Sequence, residues 1–178
     1  MPRILFIASH RKERAPGQRF RFEQYLNHLI ENGFECDLSY LVSKKDDSII
    51  YKNSNYIYKF YFLLKAYFLR VKDLNKIKNN DIVFIFREAL MSRSLFFEKK
   101  VFKSSIKIIF DFDDSIWLEN VSNANKLFKW LKNPEKTKKI ISFSNLIFSG
   151  NQYLSNYASK FNKNTVIIPT TIDTDLYQ

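Results

Sequence analysis

The sequence predicts an α/β fold: one parallel sheet of about six strands, covered by helices on both faces. Three observations predict it. Short, nearly continuous apolar runs such as Ile4-Leu5-Phe6-Ile7 recur along the chain, as expected of strands buried on both faces. Stretches with apolar residues at helical spacing lie between them. The connections are of the length a parallel crossover needs, not that of a two-residue hairpin.

Arg3–Ser9 is the first strand. Gly17 to Asn32 carries Phe22, Tyr25, Leu26, Leu29 and Ile30 at helical spacing, and Gly33 stands where such a helix stops. Phe34–Leu41 reads as the second strand, with Cys36, Leu38 and Tyr40 on one face, and Lys44 to Tyr51 as a polar loop. A long aromatic helix is expected from about Asn55 to Ile77. Asp81–Phe86 supplies the third strand, Ser92–Lys103 a helix and Ile106–Phe112 the fourth strand. A helix around Ala124–Trp130 leads into a basic stretch to Lys139. Asn145–Ser149 is strand five, Gln152–Phe161 a helix and Thr165–Pro169 strand six. Right-handed crossovers then favour a Rossmann-like, doubly wound order.

A chain of 178 residues suits one domain with a full core. An apolar fraction of 46% with 17% aromatics excludes disorder. The single Cys36 excludes a disulfide framework and a cysteine-based zinc site, so a reducing, cytoplasmic setting is expected. No secretory signal is evident. The longest apolar region, Tyr56 to Val71, is broken by Lys59, Lys65 and Arg70, whereas a span needs about twenty apolar residues.

The formal charge of +11 comes mostly from lysine spread along the chain. That pattern argues against nucleic acid as a partner and favours an anionic membrane surface, where each basic residue adds roughly 1 kcal/mol. The aromatic helix places Ile57, Phe60, Tyr61, Leu64, Phe68 and Val71 on one face, with Tyr58, Phe62, Leu63 and Leu69 on the others. Such a helix is deeply packed or meets a second apolar phase, and interleaved cations fit peripheral membrane contact.

Ligands of open α/β sheets bind beyond the carboxyl ends of the strands, which turns those ends into a shortlist. The first end gives His10 and a basic loop running to Arg19 and Arg21, a candidate anion cradle at a helix start. The third gives Arg87 and Glu88, either an ion pair or a guanidinium and carboxylate offered to a ligand. The fourth is the densest. Asp111, Asp113 and Asp114 crowd three carboxylates, with alternation placing Asp111 and Asp113 on one side of the strand and Phe112 on the other. At the fifth, Gly150 offers backbone freedom and Asn151 an N-cap, with ligand contact as an added role. There is no GxGxxG and no Walker pattern, so dinucleotide binding is disfavoured.

Three groups of segments together resemble one family. Gly17-Gln18-Arg19-Phe20-Arg21-Phe22-Glu23-Gln24-Tyr25-Leu26 is similar to the first loop and helix of one branch of family-4 (group 1) retaining glycosyltransferases. Phe86-Arg87-Glu88-Ala89, Phe97-Glu98 and Ile109 through Leu118 resemble its middle region. Gly150-Asn151-Gln152-Tyr153-Leu154 and Val166 through Asp173 resemble its final helix, strand and interdomain exit.

The resemblance implies a two-domain GT-B enzyme that transfers a sugar with retention, without a cofactor and usually without a metal. Residues 1–169 would be its N-terminal, acceptor-binding domain, and residues 170–178 the start of the linker to a nucleotide-sugar-binding domain outside this chain. It implies a glycan or glycolipid acceptor in surface-polysaccharide assembly, and a chain that alone transfers no sugar. Asp113-Asp114 stands where many members have His-Asp, so no histidine role carries over. Asp113 and Asp114 become the catalytic candidates, and His10, Arg19, Arg21, Arg87, Glu88, Asp111, Asn151, Thr170 and Thr171 the substrate-binding ones.

Two rivals stand beside it. Ile109 to Ser115 also resembles the nucleophile loop of haloacid-dehalogenase-type magnesium phosphatases, with Asp111 as nucleophile, Asp113 as acid–base and only Asp173 and Asp175 as a late acidic pair. The other is a non-catalytic binding subunit.

Overall fold

The computed structural model describes residues 1–50, 56–118 and 133–174. Six strands, β1 Arg3–His10, β2 Glu35–Val42, β3 Ile82–Phe86, β4 Lys107–Phe112, β5 Leu146–Ser149 and β6 Thr165–Ile167, form one sheet in the order β2-β1-β3-β4-β5-β6. Every pairing is parallel. The order reverses between β1 and β3, the switch point of a Rossmann-like fold.

The continuous apolar runs are explained by burial on both sides. Leu5, Ile7, Val83, Ile85, Ile108, Phe110 and Ile147 face one core, closed by four helices. These are α4 Tyr56–Ile77, α5 Phe96–Lys103, α6 Pro134–Phe143 and α7 Gln152–Ala158. Ile4, Phe6, Phe84 and Phe86 face the other core, under Phe22 and Leu26.

Four local expectations change. The helix expected over Gly17 to Asn32 is three pieces: α1 Pro16–Arg21, a 3₁₀ turn Glu23–Tyr25 and α2 Leu26–Glu31. Phe22, at φ −145°, interrupts it where Gln18 and Glu23 bond each other and the loop after β1, at His10 and Glu13, while Arg21 reaches across to Asp111. The stop at Gly33 holds: the Gly33 amide donates to Ile30 O and the Phe34 amide to Leu29 O, a Schellman ending with Gly33 at φ 85°. Second, the polar loop expected over Lys44 to Tyr51 is a helix, α3 Lys44–Ile50. Ser43 starts it through a reciprocal box, its amide donating to Asp46 Oδ2 (2.8 Å) while Ser43 Oγ accepts from the Asp46 amide (3.3 Å).

Third, the basic stretch before Lys139 belongs to α6, capped where Asn133 Oδ1 accepts from the Glu135 amide at 3.1 Å. The helix expected around Ala124–Trp130 lies outside the described residues. Fourth, of the cations interleaved along α4, Lys59, Lys65 and Arg70 turn inward while Lys72 stays exposed. Lys59 and Arg70 are buried, and Lys65 reaches Asp46 at 2.6 Å. Arg70 is a hub: it donates to Ala8 O (2.9 Å), Ala89 O (2.7 Å), Ser39 Oγ (3.0 Å) and Asp73 Oδ2 (2.8 Å). A fully buried guanidinium is tolerable only when its donors are so occupied.

Candidate functional site

The carboxyl ends of all six strands share one rim because every pairing is parallel. At the switch point β3 is followed directly by Arg87, whose φ of 62° is left-handed and unusual for a side-chain-bearing residue. Its amide donates to Asp111 O (2.7 Å), and this kink turns the side chain toward β4. There Arg87 Nε donates to Asp113 Oδ1 at 2.8 Å. Burial pushes the Arg87 guanidinium down, but Asp113, with Asp114 and Asp111 behind it, more than reverses this and raises its pKa above the ordinary value. The Arg87 side chain is 37% exposed and Asp113 12%, so the guanidinium is the member of the pair most open to a ligand.

Two glycines press against this pair. A Cβ on Gly17 would lie 2.6 Å from Asp113 Oδ2 and 3.3 Å from Arg87 Nη2, so the first turn of α1 sits on the ion pair only because Gly17 has no side chain. Gly150 approaches the Asp113 backbone, where a Cβ would lie 3.1 Å from Asp113 Cα. Close approach, rather than the special backbone freedom expected from the sequence, is what Gly150 provides; Gly33 has the positive φ.

Arg21 and Asp111 lie next to this pair but are turned to each other. Arg21 Nε donates to Asp111 Oδ2 at 3.1 Å, Arg21 Nη2 pairs with Asp111 Oδ1, and Arg21 Nη1 donates to Ile168 O. Both side chains are 1% exposed, so the substrate contacts expected of them give way to a staple joining α1, β4 and the exit from β6. Burial raises the Asp111 carboxyl to about 6 against the pull of Arg21, with Asp113 adding to the rise. As a phosphate-attacking nucleophile, Asp111 would have to leave this pocket first.

The anion cradle is also changed. Arg11 Nη1 donates to Asp47 Oδ2 (2.7 Å) and Arg14 pairs with the same carboxylate, so α3 holds the basic loop closed. Gln18 clamps the loop from inside, exchanging bonds with the His10 backbone (2.7 and 3.2 Å), while Glu23 Oε2 accepts from the Glu13 amide (2.7 Å). His10 ends β1 beside them. Burial lowers its imidazole pKa; Asp47 opposes this, and Arg14, Arg87 and Arg11 add to it. Arg19 lies in α1, two residues beyond the glycine that touches Arg87 and Asp113.

The remaining candidates divide. Glu88 does not share a ligand face with its neighbour Arg87: Lys136 Nζ takes it at 3.0 Å, along with Ser92 O. Asp114 works in its own turn, accepting from the Ser115 amide at 2.8 Å. Asn151 caps α7 through the Leu154 amide (3.0 Å). Thr170 is exposed, and Thr171 bonds the 3₁₀ turn, accepting from Gln24 Nε2 and meeting the Tyr25 hydroxyl. Asp173 is half-buried, and Asp175 lies outside the described residues. Among the described residues, no three His, Cys, Asp or Glu side chains group as a metal would need.

Sequence reasoning missed Gln18, Glu23 and Asp47 as parts of this rim. Only the box pattern Ser43-Lys44-Lys45-Asp46 could have revealed the helix that carries Asp47. No family model matches the chain, and no curated protein matches it.

Proposed function

We propose that this chain is the acceptor-binding lobe of a GT-B retaining glycosyltransferase that moves a sugar from a nucleotide-sugar to a glycan or glycolipid acceptor in surface-polysaccharide assembly. One observation carries the proposal: segments far apart in sequence that resemble family-4 members touch each other on one rim. Gly17 meets Phe86, Arg87 and Asp113; Gly150 meets Asp113; Arg21 meets Asp111 and Ile168; Gln24 and Tyr25 meet Thr171.

On this reading Arg87 orients an anionic or hydroxyl-rich acceptor, and Asp113 accepts hydrogen bonds from its hydroxyls or takes the acceptor proton. Guanidinium charge at the rim also offsets phosphate charge as the leaving group departs. A second lobe holding the nucleotide-sugar closes over this rim and excludes water. The phosphatase reading is disfavoured by the burial of Asp111 under Arg21.

Calorimetry of the purified chain against lipid-linked glycans and nucleoside diphosphates tests the proposal. The expected result is binding of a glycan that Arg87→Ala and Asp113→Asn each weaken at least about tenfold, the loss of one charge-assisted contact, with no turnover of nucleotide-sugar. Turnover by the chain alone, or glycan binding indifferent to both substitutions, overturns it.

A further inference from the structure

We infer that the solvent face of α4 docks on an anionic lipid surface. Ile57, Phe60, Tyr61, Leu64, Phe68 and Val71 line one side of the helix, with Ile57 86% and Phe60 and Phe68 each 62% exposed. On the opposite side Phe62, Ala66, Arg70, Asp73 and Ile77 are buried against the sheet and its loops. At 3.6 residues per turn these two sets point about 180° apart. The helix therefore satisfies its core with one face and presents on the other an aromatic ridge that stays exposed among the described residues. Contiguous exposed apolar surface of this kind marks an interaction site.

The charge around the ridge chooses the occupant. Asp73, the one acid in α4, is buried beneath Arg70, so the outer face carries no negative charge. Lys72 is exposed at the end of the ridge, Lys76 and Lys78 follow, and Lys99, Lys100 and Lys103 are exposed on α5. That helix packs beside α4 through Tyr67 and Phe96, ring centroids 5.0 Å apart. A convex apolar ridge bordered by lysines is the arrangement of an interfacial helix, whose rings enter the headgroup layer while the ammonium groups meet anionic lipid. A second copy would bring the same lysines against themselves on a chain of net charge +11, which opposes self-association. No helix among the described residues is long and apolar enough to cross a membrane, so the contact is peripheral. The inference does not depend on the enzymatic reading.

Co-sedimentation of the whole chain with vesicles of phosphatidylcholine and phosphatidylglycerol tests it. Expected is pelleting that weakens with salt and on pure phosphatidylcholine vesicles. The Phe60→Ser/Phe68→Ser variant, altered only at exposed positions and checked by its thermal melt, should bind at least about tenfold more weakly. Absence of pelleting at low salt, or equal pelleting of the variant, overturns the inference. So does a dimer in light scattering that the same variant dissolves, which would make the ridge a self-interface.

Discussion

Arg21 and Asp111, 90 residues apart in sequence, meet in a space with almost no access to water. Removing one member of such a pair leaves the other charged and unsatisfied. Arg21→Met is therefore expected to cost about 3–5 kcal/mol of stability at neutral pH, measured by urea unfolding. The pH dependence has a definite sign. Because the folded carboxyl of Asp111 titrates at about 6, above its unfolded value, the site's contribution is greatest below about pH 4 and falls as pH climbs through about 6. The penalty for Arg21→Met should shrink as the pH is lowered toward that range, since Asp111 then becomes neutral. A penalty that is small at pH 7, or that grows on acidification, would show that the pair does not hold the rim together.

At the scale of elements, α1 matters more for where it starts than for its length. Its first turn rests on Arg87 and Asp113 because Gly17 leaves room. Gly17→Ala must either push Asp113 away from Arg87 or lift the helix. Ligand binding at the rim should accordingly fall about tenfold or more, while the melting temperature shifts by only a few degrees. Calorimetry beside a thermal melt separates the two effects, and unchanged binding would remove the rim pair from the functional reading. The interrupted helix that follows shows why periodicity misled. Phe22, Leu26 and Leu29 do face one core, as their spacing indicates. Yet Gln18 and Glu23 are committed to each other and to the loop after β1, and Arg21 to distant Asp111, and those bonds outweigh the small propensity gain from an unbroken helix. In α3 the polar sequence hid a helix whose acids serve tertiary partners: Asp46 serves Lys65 and Tyr58, and Asp47 serves Arg11 and Arg14.

Across the whole molecule, stability should follow strand position. β1, β3 and β4 lie inside the sheet with both faces covered, whereas β6 is a three-residue edge strand with Val166 and Ile167 exposed. Hydrogen exchange should find the amides of β1, β3 and β4 the last to exchange and those of β6 among the first. Equal protection across the sheet would mean that the edge is covered in solution. The fold itself was legible from residues alone. Short, nearly continuous apolar runs, separated by helical spacings, leave few arrangements other than a parallel sheet covered on both faces. The strand ends were legible too, so the rim could be named in advance.

The sequence could not show which charges on that rim would neutralise each other. Arg21 and Arg87 look equivalent as letters, yet one is sealed against Asp111 and the other stays open beside Asp113. Nor could it show which face of the aromatic helix would be left outside. Local pattern determines which elements form, because helix and strand periodicity act over a few residues. Partner choice and exposure depend on which distant surfaces meet, and only the assembled sheet, with its crossovers and close glycine contacts, brings those surfaces together.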